Sequence, residues 1–521
     1  MSIPTNSINT RPYFASTEPN PPTKSDQVQA LINTILAIMQ KRLHKSGNVY
    51  LVENQTRQVI FIDDESTFNK ISYLALQNKN LAVSNSVIQT AKRVLKAEFD
   101  TTPGKISLRI GVGFHAHFID FGDGSHFIRY SADGAENVAS NRQPVHAIDV
   151  DFLRPPNLTR IEPIGRWNTP TPTFDDLIGN KNGNPKLLAQ RSPCLNQILE
   201  LINAPEDYDL IIVTWMVCAL LPEHHQTALE ITGEDASGKS TAAWIIKSLI
   251  DPSDKCLNEI PCSPKELASI AHNNYIIAID NADELSELMQ SKIFELLTSG
   301  IQSHNSHGSS WSKLYRNPVI VTSTASMLSQ KSLAKQSISI SLPNIINGKS
   351  AQFINREFLK NHPHALLELT KIAAHALKNS THASLSIDGQ IYFDTFTLTG
   401  AAVCDYYGID PSKFIVTLKA LKNEVAENII DNSAVARALL SWARSNPKSR
   451  INKPLNLWHN ELKALLSNEE HDDWPKTTRK FGAELKKVAP RLRSKGVYCQ
   501  TLGKQGSNIH WEIRVEPTDS S

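Results

Sequence analysis

The stretch Gly233-Glu234-Asp235-Ala236-Ser237-Gly238-Lys239-Ser240 constrains this chain more than any other. An apolar run, Ala228-Leu229-Glu230-Ile231-Thr232, precedes it, and Thr241 to Ile250 follows with a helical pattern. Strand, G-x-x-x-x-G-K-S/T and helix, in that order, is the context of a phosphate-binding P-loop. Glycines let the backbone curl until successive N–H groups face one anion. The next helix aims its positive end at the same anion. The pattern predicts an ATP cradle over Gly233 to Thr241, with Lys239 reaching the β- and γ-phosphates and the Ser240 hydroxyl ligating Mg²⁺.

At 521 residues the chain is long enough for about three domains. Its net charge of +2 implies that any basic surface is local. Six cysteines (194, 218, 256, 262, 404 and 499) without a C-x-x-C pair fit a reducing cytosol better than a disulfide scaffold. The first 25 residues are rich in Pro, Ser, Thr and Asn and carry no apolar signal-peptide core, so a disordered tail and a cytoplasmic location are expected. The longest uncharged apolar run, Leu210 to Leu221, is too short to span a bilayer, so no membrane partner is expected.

An amphipathic helix is expected from Asp26, with Val28, Leu31, Ile32, Ile35, Leu36, Met39 and Leu43 at helical spacing up to Gly47. Val49–Val52 and Gln58–Ile62 then read as a β-hairpin, Ser84 to Glu98 as a helix, and Ile106–Val112, His115–Phe121 and Phe127–Tyr130 as strands. This defines a mixed α/β N-terminal domain over 26–165, followed by a Pro- and Gly-rich linker over 166–190. His115 and His117 share one face of a strand, but neither His126 nor His146 completes a metal-ligand spacing, and they read as ordinary strand histidines. Asp149-Val150-Asp151 reads as strand-end carboxylates.

Beyond the P-loop, Tyr275-Ile276-Ile277-Ala278-Ile279-Asp280 is an apolar strand ending in a carboxylate, 41 residues after Lys239. Asp280 is the Walker B candidate for holding Mg²⁺. Pro318 to Thr324 is a further strand whose terminal hydroxyls, Thr322 and Ser323, stand where a sensor would touch the γ-phosphate. P-loop strand, intervening strand, carboxylate strand and sensor strand follow the order of an AAA+ ATPase, placed at 191–430 with its helical lid. Asn281 can orient water but is no base; Asp283 and Glu284 are candidates to substitute.

Residues from about 105 to 375 resemble ATP-binding proteins of bacterial mobile elements, akin to superfamily 3 helicases and to phage and plasmid primase-helicases. The resemblance is carried by the P-loop with Ile250-Asp251-Pro252, by Phe118-Ile119-Asp120-Phe121-Gly122-Asp123, and by Phe152-Leu153-Arg154-Pro155. Ile279-Asp280-Asn281 and Leu314 to Ile320 also carry it. It implies an ATPase that assembles into a ring, such as a hexamer, and drives DNA unwinding or replication initiation. It also implies an arginine finger near 332–336, where this chain has Lys335-Gln336; Lys335 and the nearby Arg356 are the candidates. Lysine lacks the planar fork of arginine. The segment Ser299 to Leu314 falls where superfamily 3 helicases carry a DNA-gripping hairpin. By that resemblance His304, His307 and Lys313 are phosphate contacts, and Trp311 is a stacking residue or the hairpin's anchor.

From 431 to 521 the pattern helix, helix, helix, strand, Gly503-Lys504-Gln505-Gly506 wing and strand predicts a winged-helix domain, as in primase-helicases of the resembled class. Phe481, Leu485, Val488 and Leu492 form one apolar helix face. Arg479, Lys480, Lys486, Lys487 and Arg491 are the expected DNA-phosphate contacts. The sequence therefore reads as an α/β ATPase and DNA helicase or replication initiator of a mobile element. The alternatives are an AAA+ ATPase switch in a defence or regulatory complex, and a DNA-binding module that keeps a nucleotide site.

Overall fold

The computed structural model describes residues 22–44, 48–62, 73, 84–97, 102–139, 150–163, 190–299, 303–304, 310–311, 316–346, 348–379, 385–387, 390–392, 394–431, 433–466, 473–506 and 508–516. The chain forms two compact units, one of residues 1–54 with 60–103, the other of 55–59 with 104–521. All but the last residue of the expected linker over 166–190, and nearly all of the expected N-terminal tail, lie outside the described residues.

In the first unit, helices Lys24–Ile38 and Asn85–Leu95 bury Val28, Leu31, Ile32 and Ile35 against Val87, Ile88, Ala91 and Leu95. Thr23 caps the first helix through a reciprocal capping box with Asp26. The helix stops at Ile38, well short of the expected Gly47. Met39–Leu43 is instead a strand, antiparallel to Val49–Glu53. Met39 and Leu43 suit a helix face and alternate strand positions equally; pairing with the Val49–Glu53 strand, itself beside Val59–Phe61, decides between them.

The second unit is built on a parallel sheet ordered Ile277–Ile279, Val319–Ser323, Ala228–Thr232, Ser337–Ser341. Asn258 adds a parallel bridge to Ile279, where a full strand near Lys255–Leu257 is expected from the sequence. Both faces of the sheet are covered, as its near-continuous apolar strands require. Leu229, Ile231, Ala278 and Ile320 pack with helix Lys239–Ile250 and with helices of 193–219 and 351–421. Ala228, Ile277, Ile279, Val319 and Val321 face helices Pro264–Asn273 and Glu287–Thr298. An antiparallel meander, Ile110–Val112, His117–Asp120, His126–Ser131 and Gly134–Ala139, shares the first of these cores.

The C-terminal segment has its own core, with Phe481, Leu485, Val488 and Leu492 fully buried. Helices Ala434–Ser445, Leu455–Lys463 and Thr478–Leu492 accompany an antiparallel sheet ordered Arg450–Pro454, Asn508–Val515, Val497–Gln505. The Arg450–Pro454 strand is not legible as one: it is short and polar, and it is defined by antiparallel pairing with Asn508–Val515. The chain reverses around Gly506; Gly503, at φ +79°, makes a bulge inside the strand.

A buried charge network joins the meander to the parallel sheet. The Arg109 side chain is fully buried and donates to the carbonyls of Asp120 (2.9 Å), Thr159 (2.8 Å) and Pro252 (3.0 Å), and to Asp251 Oδ1 (3.4 Å). Asp251 Oδ2 accepts from Lys247 Nζ (3.0 Å) and from the N–H groups of Tyr275 and Ile276 (both 2.9 Å). Asp120 takes two hydrogen bonds from Arg154, at 2.6 and 3.0 Å. Burial alone would raise the Asp251 pKa; the Lys247 ammonium and the Arg109 guanidinium outweigh it and hold the carboxyl below its usual range.

Arg109→Met should destabilise the second unit by about 3–5 kcal/mol, because it leaves Asp251 buried with one cation fewer. A carboxylate depressed on folding contributes stability that is complete above its unfolded pKa, about 3.9, and lost as pH falls through the folded value. The variant should therefore also unfold at a higher pH on acidification. Denaturant and acid melts followed by circular dichroism check both; unchanged midpoints refute the role given to Arg109.

Candidate functional site

The loop Gly233 to Ser240, the candidate phosphate cradle, lies at the carboxyl edge of the parallel sheet, where open α/β sheets hold their ligands. Gly233 has φ +150°, and a Cβ there would stand 2.6 Å from Ser237 Oγ and 2.7 Å from the Leu342 carbonyl. Gly238, at φ +89°, caps the helix Lys239–Ile250. The loop is held from outside by Asn203, which donates to the Ser237 carbonyl (3.0 Å) and the Pro343 carbonyl (2.6 Å). Asn344 donates to Glu234 Oε2 at 2.8 Å. Lys239 is buried, with Nζ donating to the carbonyls of Gly233 and Glu234, both at 2.7 Å. Ser237 Oγ is buried without a hydrogen-bond partner, an atom that a phosphate oxygen would satisfy.

Three elements meet beside the loop. Ser240 Oγ donates to Asp280 Oδ1 at 2.9 Å, and the Thr322 hydroxyl donates to the same oxygen. Neighbouring oxygens around Mg²⁺, at about 2.1 Å from the ion, lie about 2.9 Å apart, so the Ser240–Asp280 pair fits that ion's coordination edge. Asn281 adopts φ +55°, and its N–H donates to Thr322 Oγ1 at 2.9 Å. Asparagine tolerates that left-handed conformation better than most residues.

The remaining candidates are distributed differently. Asp283 Oδ1 accepts from the N–H (2.7 Å) and hydroxyl (2.8 Å) of Thr324. Those bonds, aided by the Lys239 charge, hold its carboxyl below the usual range. Glu284 is exposed. Ser323 is buried and donates to the Ala325 carbonyl at 2.7 Å, within its own loop. Lys335 is exposed on the short helix Lys331–Lys335. Arg356 is exposed on the long helix Ala351–Asn379, paired with Glu357 at 3.2 Å and lying over the Phe353 ring.

Glu230 belongs to the site's support although the sequence pattern did not single it out. Buried in the P-loop strand, it accepts from Ser326 Oγ (2.8 Å), the N–H groups of Met327 and Leu328, and the Ser339 hydroxyl. The signal was available: a single carboxylate in an otherwise apolar strand must find several donors. Gln290 Oε1 accepts from the N–H groups of Ser329 and Gln330, fixing the same loop further on.

Between the carboxylate and sensor strands, Ser303–His304 pairs antiparallel with Ser310–Trp311 as a small hairpin. His307 and Lys313 lie outside the described residues. In the C-terminal domain Arg479, Lys480, Lys486 and Lys487 are carried by helix Thr478–Leu492, away from its buried apolar face. Arg491 is set apart: it is half-buried, donates to the Lys487 carbonyl at 2.7 Å and feels the Glu230 charge. His117 pairs with Glu223 and stacks on Tyr130; Asp151 pairs with Arg57. Among the described residues no group of three His, Cys, Asp or Glu side chains could hold a metal ion, and no helix is long and apolar enough to cross a membrane.

Fold and site together define a mixed α/β protein with a phosphate-cradle geometry, and the chain resembles replication proteins of mobile elements. Residues 195–390 match the family model of the actinomycete integrative conjugative element replication protein, and residues 435–520 match the AICE RepA C-terminal domain. No curated protein matches the chain. Among solved structures, the SCCmec type IV Cch active helicase is similar at 12% identity and TM-score 0.43, covering 92% of this chain and 93% of that one. The NrS-1 C-terminal region is similar at 11% identity and TM-score 0.38, covering 93% and 98%. The JCV helicase is similar at 14% identity and TM-score 0.24, covering 46% and 70%.

Thr322→Val keeps the side-chain volume but removes both the donor to Asp280 and the acceptor of the Asn281 N–H. It should cost about 1–3 kcal/mol of stability in a denaturant melt. A wild-type midpoint would show that the Thr322 hydroxyl makes no such bridge.

Proposed function

We propose that the protein is an ATP-driven DNA helicase or replication-initiation factor of a mobile genetic element. Its ATPase core is of the AAA+ kind, and a C-terminal winged helix binds DNA. The observation that carries this is the position of the Val319–Ser323 strand between the P-loop strand and the carboxylate strand. That insertion brings Thr322 against Asp280 and Ser240 at one sheet edge, so a sensor hydroxyl touches the metal-binding pair. The family match over 195–390 and 435–520 supports a replication role for both parts.

ATP with Mg²⁺ supplies, when bound, a phosphoanhydride whose transfer to water is driven by positioning and charge neutralisation. The loop from Gly233 to Thr241 holds the phosphates, and Lys239 exchanges its two carbonyl acceptors for phosphate oxygens. Ser240 and Asp280 would hold the Mg²⁺, which would neutralise charge on the phosphates. Asn281 orients the attacking water. Lys335 and Arg356, both exposed, are the cations offered to a neighbouring subunit's site in a ring, taken as a hexamer. The hairpin with His304, His307, Trp311 and Lys313 grips single-stranded DNA as the ring translocates. Arg479, Lys480, Lys486, Lys487 and Arg491 serve the C-terminal domain's phosphate contacts.

A second reading, an ATPase switch whose nucleotide drives assembly, is favoured by the low pKa of Asp283 and by asparagine at 281. Neither is a base poised near neutral pH.

Lys239→Ala should abolish nucleotide binding or turnover, and Asp280→Ala should spare much of the nucleotide affinity while removing Mg²⁺-dependent hydrolysis. Normal turnover in either variant rejects the corresponding assignment. Wild-type protein should unwind a forked duplex; ATP turnover without unwinding selects the switch. His307→Ala with Lys313→Ala should keep basal ATP turnover and lose DNA stimulation and unwinding. Unwinding at the wild-type rate would remove the hairpin from the mechanism.

A further inference from the structure

A cleft of about 1150 Å³ separates the outer face of helix Thr478–Leu492 from the edge of the ATPase core. Arg479, Lys486 and Lys487 line it from the helix, Lys504 from the β-hairpin, and Lys331 from the core. Two carboxylates, Glu287 and Glu484, face the same space; Glu484 accepts from Ser433 at 3.1 Å and lies 3.9 Å from Lys487. The core wall is built rather than loose. Its loop is tied by backbone N–H groups to Glu230 at Met327 and Leu328, and to Gln290 at Ser329 and Gln330.

We propose that this cleft is a path for a single strand of DNA, held by its phosphates between the C-terminal domain and the ATPase core. Five cations on three elements converge on it, so the ligand is a polyanion that spans both parts of the protein. That the polyanion is DNA rests on the function proposed above. Among the described residues Trp511 is the one aromatic side chain lining the cleft, and it is 3% exposed, so base stacking is replaced by backbone contact. A duplex fits poorly. A helix that reads duplex DNA enters a major groove about 12 Å wide and about 8.5 Å deep, with a backbone rising on each side. Here the core wall occupies the space opposite the helix. Because that wall continues from Thr324, which holds Asp283 beside the phosphate cradle, strand and nucleotide sites are joined by one short loop.

The test uses the full chain without nucleotide, a fluorescent oligothymidylate and a blunt duplex, and binding measured by anisotropy across a salt series. Lys331→Ala and Lys504→Ala alter exposed residues and should fold normally, which a melt checks. Each should lower the magnitude of the single-strand salt slope by about 0.7, and the double variant by about twice that. Lys331→Ala should leave the duplex slope unchanged. Unaltered single-strand binding in Lys331→Ala overturns the proposal. Equal losses for strand and duplex in Lys331→Ala also overturn it, since the cleft would then admit a duplex as readily as a single strand. These outcomes are separate from the turnover of Lys239→Ala, so the cleft and the ATPase assignment fail independently.

Discussion

The carboxylate of Asp251 holds the parallel-sheet core in shape from behind. It joins the last turn of the P-loop helix, through Lys247, to the first N–H groups of the carboxylate strand at Tyr275 and Ile276. With helix and strand clamped at their far ends, their near ends are brought to a fixed separation, and Ser240 meets Asp280 at 2.9 Å. Such a clamp works only if the buried anion is compensated, because an unpaired carboxylate in this interior would protonate or unfold the site. Arg109 provides the second cation and thereby commits the meander to the same core. The segments Asp120, Arg154 and Ile250-Asp251-Pro252 are far apart in sequence but belong to one network, which ties the meander's conformation to the phosphate site.

Legibility of the chain followed the range of the physics involved. The phosphate loop was readable because its chemistry is local: two glycines at positive φ, a lysine and a hydroxyl within one short stretch. The carboxylate and sensor strands were readable because a strand buried on both faces is continuously apolar. The end of the first helix was not, since Met39 and Leu43 fit either periodicity and only pairing with Val49–Glu53 selects the strand. Nor was the Arg450–Pro454 strand, whose polar residues are held by a partner strand distant in sequence. The roles of Glu230 and Arg109 depend on donors and acceptors from distant segments, and sequence can mark them only as charges in apolar surroundings.

Glu230 also gives the sheet a mechanical function beyond its hydrogen-bond ladder. It points from the P-loop strand to the side opposite helix Lys239–Ile250 and collects the loop after the sensor strand and the hydroxyl of Ser339 on the neighbouring edge strand. The sensor strand is therefore fixed at both ends of its functional stretch, by Asp280 through Thr322 and by Glu230 through Ser326 and its successors. A displacement at Thr322 must be taken up either by the strand's ladder or by the loop. The ladder is buried and parallel on both sides, so the loop is the softer element. Since that loop leads to Lys331, motion at Thr322 has a short covalent route to the core face that looks onto the C-terminal domain.

The departures at the site have a consistent physical direction. Asn281 sits at φ +55°, a conformation in which a longer acidic side chain would be strained, and its backbone is tied to Thr322. Asp283, the nearest acidic substitute, is stabilised as an anion by two bonds from Thr324 and by the Lys239 charge, the opposite of what a general base near neutral pH requires. Phosphoryl transfer to water depends chiefly on positioning and charge, with proton removal a smaller part of the barrier. If the proposed function holds, Lys239, the Ser240–Asp280 pair and the Thr322 hydroxyl are the groups that would do most to lower that barrier. Lys335 and Arg356 are both exposed, and under the proposed function they would act as finger cations only across a subunit interface. On the proposed reading, turnover would be governed by assembly, with subunits packed around DNA completing one another's sites.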